Sequence, residues 1–204
     1  MRVLRAGDGA LLVETADLAT AHRLHAALRE EPPAGVVDVV PGERTVLVVA
    51  DPSADLDRLA ALLPELPLPA DAGGGAEPVE IPVVYDGADL DEVAALTGLS
   101  RGEVVRRHSA ATYTVAYLGF SPGFGYLTGL DPALRVARRE SPRTSVPAGS
   151  VAIADRYAAV YPSPSPGGWR LLGRSELRLW DETRDPPSLL RPGMRVRFVP
   201  GEPP

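Results

Sequence analysis

Three stretches of the chain concentrate the residue types that could do chemistry: YLGFSPGFGYLTGL (117–130), SPRTSVPAGSVAIA (141–154) and YPSPSPGGWRLLGR (161–174). Glycine and proline are interleaved there with Phe120, Phe124, Tyr126, Tyr161 and Trp169. Glycine permits positive φ and close backbone approach, and proline fixes the direction of the chain. Such loops are rigid and present their amides, which suits a planar polar or anionic ligand. Arg143, set between Pro142 and Thr144, has the shape to clamp a carboxylate or phosphate through two hydrogen bonds, and no acidic residue lies beside it in sequence to occupy it. Ser150 follows Gly149, so its hydroxyl is expected to project from a turn. By residue type alone, ligand-binding loops and tight barrel turns over an aromatic core fit these stretches equally well.

Other chemistries are excluded or poorly supported. There is no cysteine, which removes disulfides, thiolate catalysis, iron–sulfur clusters and cysteine-based zinc sites. The three histidines are His22, His25 and His108, too few for a histidine cage, and no metal is expected. His22 and His25 are three residues apart on a helix but are surrounded by Ala, Arg and Leu, so they read as partly exposed surface residues rather than ligands. Ser150 is not in a Gly-x-Ser-x-Gly elbow, and a histidine-activated serine would have to use His108. Gly73-Gly74-Gly75 lacks the Lys-Ser/Thr of a phosphate loop. Acidic residues outnumber basic ones by 27 to 21, for a net charge of −6, which rules out a uniformly basic nucleic-acid surface. Residues 89–110 resemble a helix-turn-helix, with Arg101, Arg106, Arg107 and His108 after the turn, but the acidic chain favours a plain helical pair. There is no signal-peptide core and no run of eighteen apolar residues, so a cytoplasmic setting with no membrane and no nucleic-acid partner is expected.

The elements that must position these residues follow from periodicity. Met1–Arg5 and Ala10–Thr15 flank Gly7-Asp8-Gly9 and read as a hairpin, as do Val36–Val40 and Thr45–Ala50. Asp17 caps a helix to Glu30, and Asp55 opens a shorter one. The order β-β-α-β-β-α over 1–63 predicts a sheet with its helices on one face. Residues 64–78, rich in Pro, Gly and Ala, read as a linker to a second domain over 79–204. That domain opens with a strand, Val79–Tyr85. Two short helices follow, with Asp89/Glu92 and Ser100/Glu103 as capping boxes and Gly98 ending the first. Short apolar runs at 112–118, 150–153, 158–161, 170–172, 177–180 and 194–199 then predict a barrel or sandwich.

The order GFSPGFGYL, PRTSVPAGSVAIA, YPSPSPGGW and LLGR closely resembles the family that includes the B-type subunit of the bacterial ATP-dependent 5-oxoprolinase, subunit 1 of allophanate hydrolase and the Kip inhibitor of a sporulation histidine kinase. The resemblance implies an α+β architecture, an N-terminal β-β-α-β-β-α domain followed by a cyclophilin-like β-barrel. It also implies one half of a carboxyltransferase-like module, which is fused in urea carboxylase. Carried over, it implies His108, Arg143 and Ser150 as catalytic residues, His108 shuttling a proton. Phe120, Pro122, Gly123, Phe124, Tyr126, Pro147, Gly149, Gly167, Gly168, Trp169 and Arg174 are implied as substrate-binding residues. Gly125 replaces a usual proline, giving a looser loop, and Ser175 replaces a usual threonine. The implied activity is ATP-dependent opening of 5-oxo-L-proline to L-glutamate, with magnesium accompanying ATP, by a hetero-oligomer with C-type and A-type 5-oxoprolinase subunits in which this chain is inactive alone. Inhibition of a sensor histidine kinase and partnership in an allophanate hydrolase or urea carboxylase are the implied alternatives. Peptidyl-prolyl isomerisation rests on barrel shape alone.

Overall fold

Apolar residues on every second position make the first sheet. In β2 (Ala10–Glu14) Leu11 and Val13 point inward, and in β4 (Thr45–Ala50) Val46, Val48 and Ala50 do so. With β1 (Arg2–Arg5) and β3 (Val36–Pro41) they form an antiparallel sheet in the order β1-β2-β4-β3. The stripe Ala21, Leu24 and Leu28 of α1 (Leu18–Glu30) and Leu56 and Leu59 of α2 (Leu56–Leu62) share one core with that face. Asp17 caps α1 by accepting from the Thr20 amide at 2.8 Å, and Asp55 caps α2. His22 lies on the buried side of α1 rather than at the surface, because its position continues the apolar stripe. Burial also pushes the half-buried His25 down to about 4.

The computed structural model describes residues 1–70 and 77–201, and the chain divides into two units, Met1–Gly75 and Ala76–Pro204. Of the predicted linker 64–78, residues 71–76 lie outside the described residues. Ahead of them, Leu63–Glu65 form a 3-10 turn, and Leu66 and Leu68 pack against the core of the first unit. Their side chains bury apolar area that a solvated linker would leave exposed.

The second unit is a seven-stranded sheet curled on itself. Its strands are β5 (Val79–Val83), β6 (Thr112–Leu118), β7 (Gly125–Thr128), β9 (Ser150–Ala154), β10 (Tyr157–Val160), β12 (Arg170–Arg174) and β13 (Arg195–Pro200). They run in the order β12-β9-β10-β7-β6-β13-β5, antiparallel except for the β13–β5 pair. The seam closes where Val84 and Arg174 exchange both backbone hydrogen bonds at 2.9 Å. Gly173 makes that closure possible, since a Cβ there would run into the Val84 carbonyl. Helices α3 (Leu90–Thr97) and α4 (Arg101–Ala110) pack on β12 and β13 respectively. Arg101, Arg106 and Arg107 are ion-paired to Asp91, Glu103 and Asp131, as befits a packed helical pair. Leu177–Trp180 does not form the predicted strand and contributes one isolated bridge, Trp180 to Ser188. Conversely β7, β8 (Arg143–Val146) and β11 (Ser165–Gly167) arise in segments that read as loops, β8 and β11 pairing as a separate two-stranded ribbon. Among the described residues no helix is long and apolar enough to cross a membrane.

Strand β9 is buried along its whole length. Val151 and Ile153 face the barrel core, whereas Ala152 and Ala154, with Ala159 of β10, face a second core holding Phe124, Tyr161 and Trp169. The small side chains leave room for the rings. Replacing Gly173 with alanine is expected to lower the stability of the second unit by more than about 2 kcal/mol, because the new methyl meets backbone. Thermal unfolding of Gly173→Ala read beside Gly102→Ala, whose added Cβ meets nothing within 4 Å, checks this.

Candidate functional site

The aromatic residues of the three motifs converge. Phe124 sits at the centre, 5.2 Å from Phe120, 5.2 Å from Tyr126, 5.3 Å from Tyr161 and 5.5 Å from Trp169, each pair edge to face. Tyr126 stacks on Tyr117 at 4.5 Å and meets Tyr157 at 5.5 Å. Tyr161 joins the motifs: its backbone amide donates to the Ser150 carbonyl at 3.0 Å, its carbonyl accepts from Gly149, and its phenol hydrogen-bonds the Trp169 backbone. A Cβ on Gly167 would collide with that phenol. Gly168 accepts from the Arg139 amide at 2.7 Å, and Gly123 lies against Trp180 and Pro162. Pro122 is exposed beside it. Despite the glycine at 125, the 119–124 loop is closed by Gly119 donating to Phe124 at 3.1 Å and Phe124 donating to Ser121 at 3.0 Å.

A positive corner borders the rings. The Arg138 guanidinium lies 5.8 Å from the Trp169 ring centre. Arg143, opposite Gly167 in the β8–β11 ribbon, donates from Nη2 to Asp89 Oδ1 at 2.6 Å. Arg139 Nη1 donates to the same oxygen at 3.1 Å, and the Leu171 amide donates to Asp89 Oδ2 at 2.7 Å. Glu92 pairs with Arg139 at 3.5 Å and with Arg170. Three guanidiniums thus face two carboxylates. Arg143 Nη1 and Arg139 Nε are buried with no hydrogen-bond partner. The expectation of a two-pronged Arg143 clamp is corrected: one prong is committed to Asp89, which lies 54 positions away in sequence and so escaped any local search. Asp89 does not cap α3, as its motif suggested, because its carboxylate is spent on these partners. Burial opposes ionisation of Asp89, but the Arg143 and Leu171 hydrogen bonds and the Arg143 and Arg139 charges outweigh it, holding the carboxyl below its ordinary range.

His108 is not in this corner. It is 0% exposed, with Tyr85 Oη 2.7 Å from Nδ1, the Phe198 ring at 4.4 Å and Tyr113 at 5.6 Å. Burial pushes it down to about 3, and Nε2 has no partner. Burial in an apolar core favours the neutral imidazole, and this position lends the implied proton-shuttle role no support. Ser150 is also buried, at the start of β9, in register with Arg174 rather than projecting from a turn. Pro147 and Gly149 lead into it, the Gly149 carbonyl accepting from the Ser175 amide at 2.8 Å. Arg174 pairs with Asp86 at the seam and lines a cleft of about 320 Å³ with Ser175, Glu176 and Pro82. The motif residues therefore fall into an aromatic–arginine corner and a seam group, with His108 apart. A further cleft of about 510 Å³, lined by Arg135, Asp155, Arg156 and Tyr157, opens beside the rings. Asp89, Arg138 and Arg139 are the additions the structure makes, and of these only the tandem arginines just before the second motif offered a signal in the sequence.

A family model described as carboxyltransferase domain, subdomain C and D, matches residues 1–190. The chain is 54% identical over 125 residues to the B-type 5-oxoprolinase subunit of Escherichia coli, covering 60% of this chain and 57% of that one. It is 39% identical over 171 residues to the B-type 5-oxoprolinase subunit of Haemophilus influenzae, covering 80% and 79%. The matches to the Escherichia coli and Bacillus subtilis relatives span 57% and 52% of their lengths, little more than half. Among solved structures, TTHA0988 is 42% identical with a TM-score of 0.85, over 96% of this chain and 40% of that chain. PH0987 from Pyrococcus horikoshii is 36% identical with a TM-score of 0.61, over 98% and 97%.

Two outcomes are expected. Asp89→Asn removes the charge that pairs Arg143 and Arg139, and should cost about 3 kcal/mol at pH 7. Because the folded carboxyl titrates below its unfolded value of about 3.9, its stabilisation is complete above that pH and is lost as pH falls through the folded value. The acid limb of the Asp89→Asn stability curve should therefore be flatter, which denaturant unfolding at stepped pH would reveal. The His108 ring should show one neutral tautomer by nitrogen-detected NMR from pH 8 to pH 5. Its unfolded form protonates near 6.5, so its contribution is present above that pH and lost as pH falls toward 3. A ring titration centred near 6.5 would place His108 in solvent instead.

Proposed function

The chain belongs to the family of carboxyltransferase domains, subdomain C and D, and on that premise we propose that it is the B-type subunit of a cytoplasmic, ATP-dependent 5-oxoprolinase that opens 5-oxo-L-proline to L-glutamate. The observation that carries the reading is 39% identity to a B-type 5-oxoprolinase subunit across four fifths of both chains. Similarity to the urea amidolyase of Saccharomyces cerevisiae, 32% over 120 residues, is weaker and shorter.

The geometry supplies a binding corner. The substrate is a flat ring bearing one carboxylate. The exposed Arg138 meets that carboxylate, beside the Arg143–Asp89 pair, and the faces of Trp169 and Tyr126 take the ring and exclude water. The lactam resists hydrolysis because its amide is resonance-stabilised. Transfer of the terminal phosphoryl group of ATP to the lactam oxygen makes the carbon electrophilic. Water adds there, the ring C–N bond breaks, and a second water releases phosphate, leaving glutamate. The excess positive charge of the Asp89 cluster stabilises negative charge as it develops on the oxygen. In this reading the general acid and base groups and the magnesium that accompanies ATP belong to the complex formed with the C-type and A-type partners.

The purified chain is expected to hydrolyse no ATP in response to 5-oxoproline, and co-expression with the C-type and A-type partners to restore that response. In the complex, Arg138→Ala should raise KM for 5-oxoproline about tenfold, the worth of one charge-assisted bond, with Tm unchanged because the side chain is exposed. A complex that never hydrolyses ATP with 5-oxoproline, while the chain suppresses autophosphorylation of a sensor histidine kinase, would replace this reading with the inhibitor one.

A further inference from the structure

Residues 135–139 run as irregular backbone beside the aromatic corner, yet they are tied down along their length. The Arg135 amide donates to the Pro132 carbonyl at 3.3 Å, and the Val136 carbonyl accepts from the Asp155 amide at 2.8 Å. The Ala137 carbonyl accepts from Arg170 Nε at 3.3 Å, and the Arg139 amide donates to the Gly168 carbonyl at 2.7 Å. Between these ties the side chains of Arg135 and Arg138 are exposed. Arg139, Arg143, Arg170 and Arg174 nearby all pair with carboxylates. Arg135 and Arg138 have no carboxylate partner among the described residues. In a chain with more acidic than basic residues, two such guanidiniums on a fixed segment are a preorganised source of positive charge.

Arg138 serves the corner, whereas Arg135 lines the cleft of about 510 Å³ with Val136, Asp155, Arg156 and Tyr157. That volume lies within the range of about 300–1,000 Å³ typical of small-molecule sites and is well above what a lone phosphate fills. Arg135 and Arg156 give the cleft two positive charges, and the Arg156 guanidinium lies 5.3 Å from the Tyr157 ring centre. Asp155, in the turn between β9 and β10 with φ +51°, supplies an acceptor for hydroxyl groups. Tyr157 supplies an aromatic wall. An occupant that carries phosphates, hydroxyls and a flat ring matches this set. The cleft also adjoins the corner, because Tyr157 meets Tyr126 edge to face at 5.5 Å. Two substrates that exchange a phosphoryl group must lie side by side. We propose that this cleft binds a nucleoside triphosphate, with Arg135 holding its phosphates; that the nucleotide is ATP rests on the function proposed above. The lactam oxygen of the ring in the corner then attacks the terminal phosphorus. A phosphorus–oxygen bond forms there as the bond to the bridging oxygen breaks, and the electron pair leaves on ADP.

The test is calorimetry of ADP with magnesium against the purified chain, beside ATP and 5-oxoproline kinetics of the complex. Arg135→Ala removes an exposed side chain without a carboxylate partner, so Tm should stay within about 2 °C of wild type. ADP should bind at least about tenfold more weakly, the worth of one charge-assisted contact. In the complex, KM for ATP should rise by a like factor while KM for 5-oxoproline stays within about twofold. Arg135→Lys keeps the charge but not the fork, and its affinity should fall between the two. Pyrophosphate should bind more weakly than ADP, because it leaves the Tyr157 wall uncovered. Wild-type ADP affinity and KM for ATP in Arg135→Ala would overturn the inference and leave the proposed function standing. So would an absence of ADP binding to the wild-type chain, pyrophosphate binding as tightly as ADP, or a rise in KM for 5-oxoproline alone. Arg135-dependent ADP binding by a chain whose complex never responds to 5-oxoproline would overturn the proposed function and uphold the nucleotide cleft.

Discussion

A carboxylate with only 2% of its residue exposed must be fully paired or it destabilises the fold, and Asp89 meets that condition by gathering partners from three places. Arg139 and Arg143 come from the segment before and at the start of β8, and the Leu171 amide comes from β12. Asp89 itself stands at the entry to α3, where its own amide donates to the Leu171 carbonyl at 3.0 Å. One charge thus fixes the helix entry, strand β12 and the ribbon over the second core. Arg143 is held through one prong, Nη2, and its Nη1 is buried without a hydrogen-bond partner.

The aromatic corner depends on this arrangement and on alanine. Ala152, Ala154 and Ala159 make the outer face of β9 and β10 low, so Phe124, Tyr161 and Trp169 settle onto it. The ribbon of β8 and β11 then covers the rings, with Val146 in the same core. Glycine at 167 is required for the Tyr161 phenol to reach the Trp169 backbone. The Gly/Pro density of the motifs therefore serves close packing and site geometry together. The exposed polar group at the edge of this packing, Arg138, is one that a carboxylate could reach. The polar group at the centre of the other core, His108, cannot be reached, although both occupy the same unit.

Solved relatives carry this fold as nearly a whole chain and as two fifths of one. Binding geometry needs a rigid scaffold, which the barrel provides.

What the sequence by itself determined was local. Alternation in 10–14 and 45–50, the caps at Asp17, Asp55 and Ser100 and the left-handed Gly98 are all present, because periodicity and capping act between residues a few positions apart. The order of the long motifs also specified the family and the α+β architecture, since matching order over many positions is improbable by chance. The short strands β7, β8 and β11 were hidden, because three- or four-residue runs set among glycines and prolines pair only when a neighbouring strand is supplied. The fates of the charged and titratable residues were decided by tertiary structure alone. Asp89 looked like a helix cap and became the counterion of Arg143, and His108 looked like a proton carrier and became part of a core. Both outcomes turn on desolvation and on partners brought from 54 positions away for Asp89 and 90 for His108, where Phe198 lies against the ring. Folding creates those distances, and no local pattern records them.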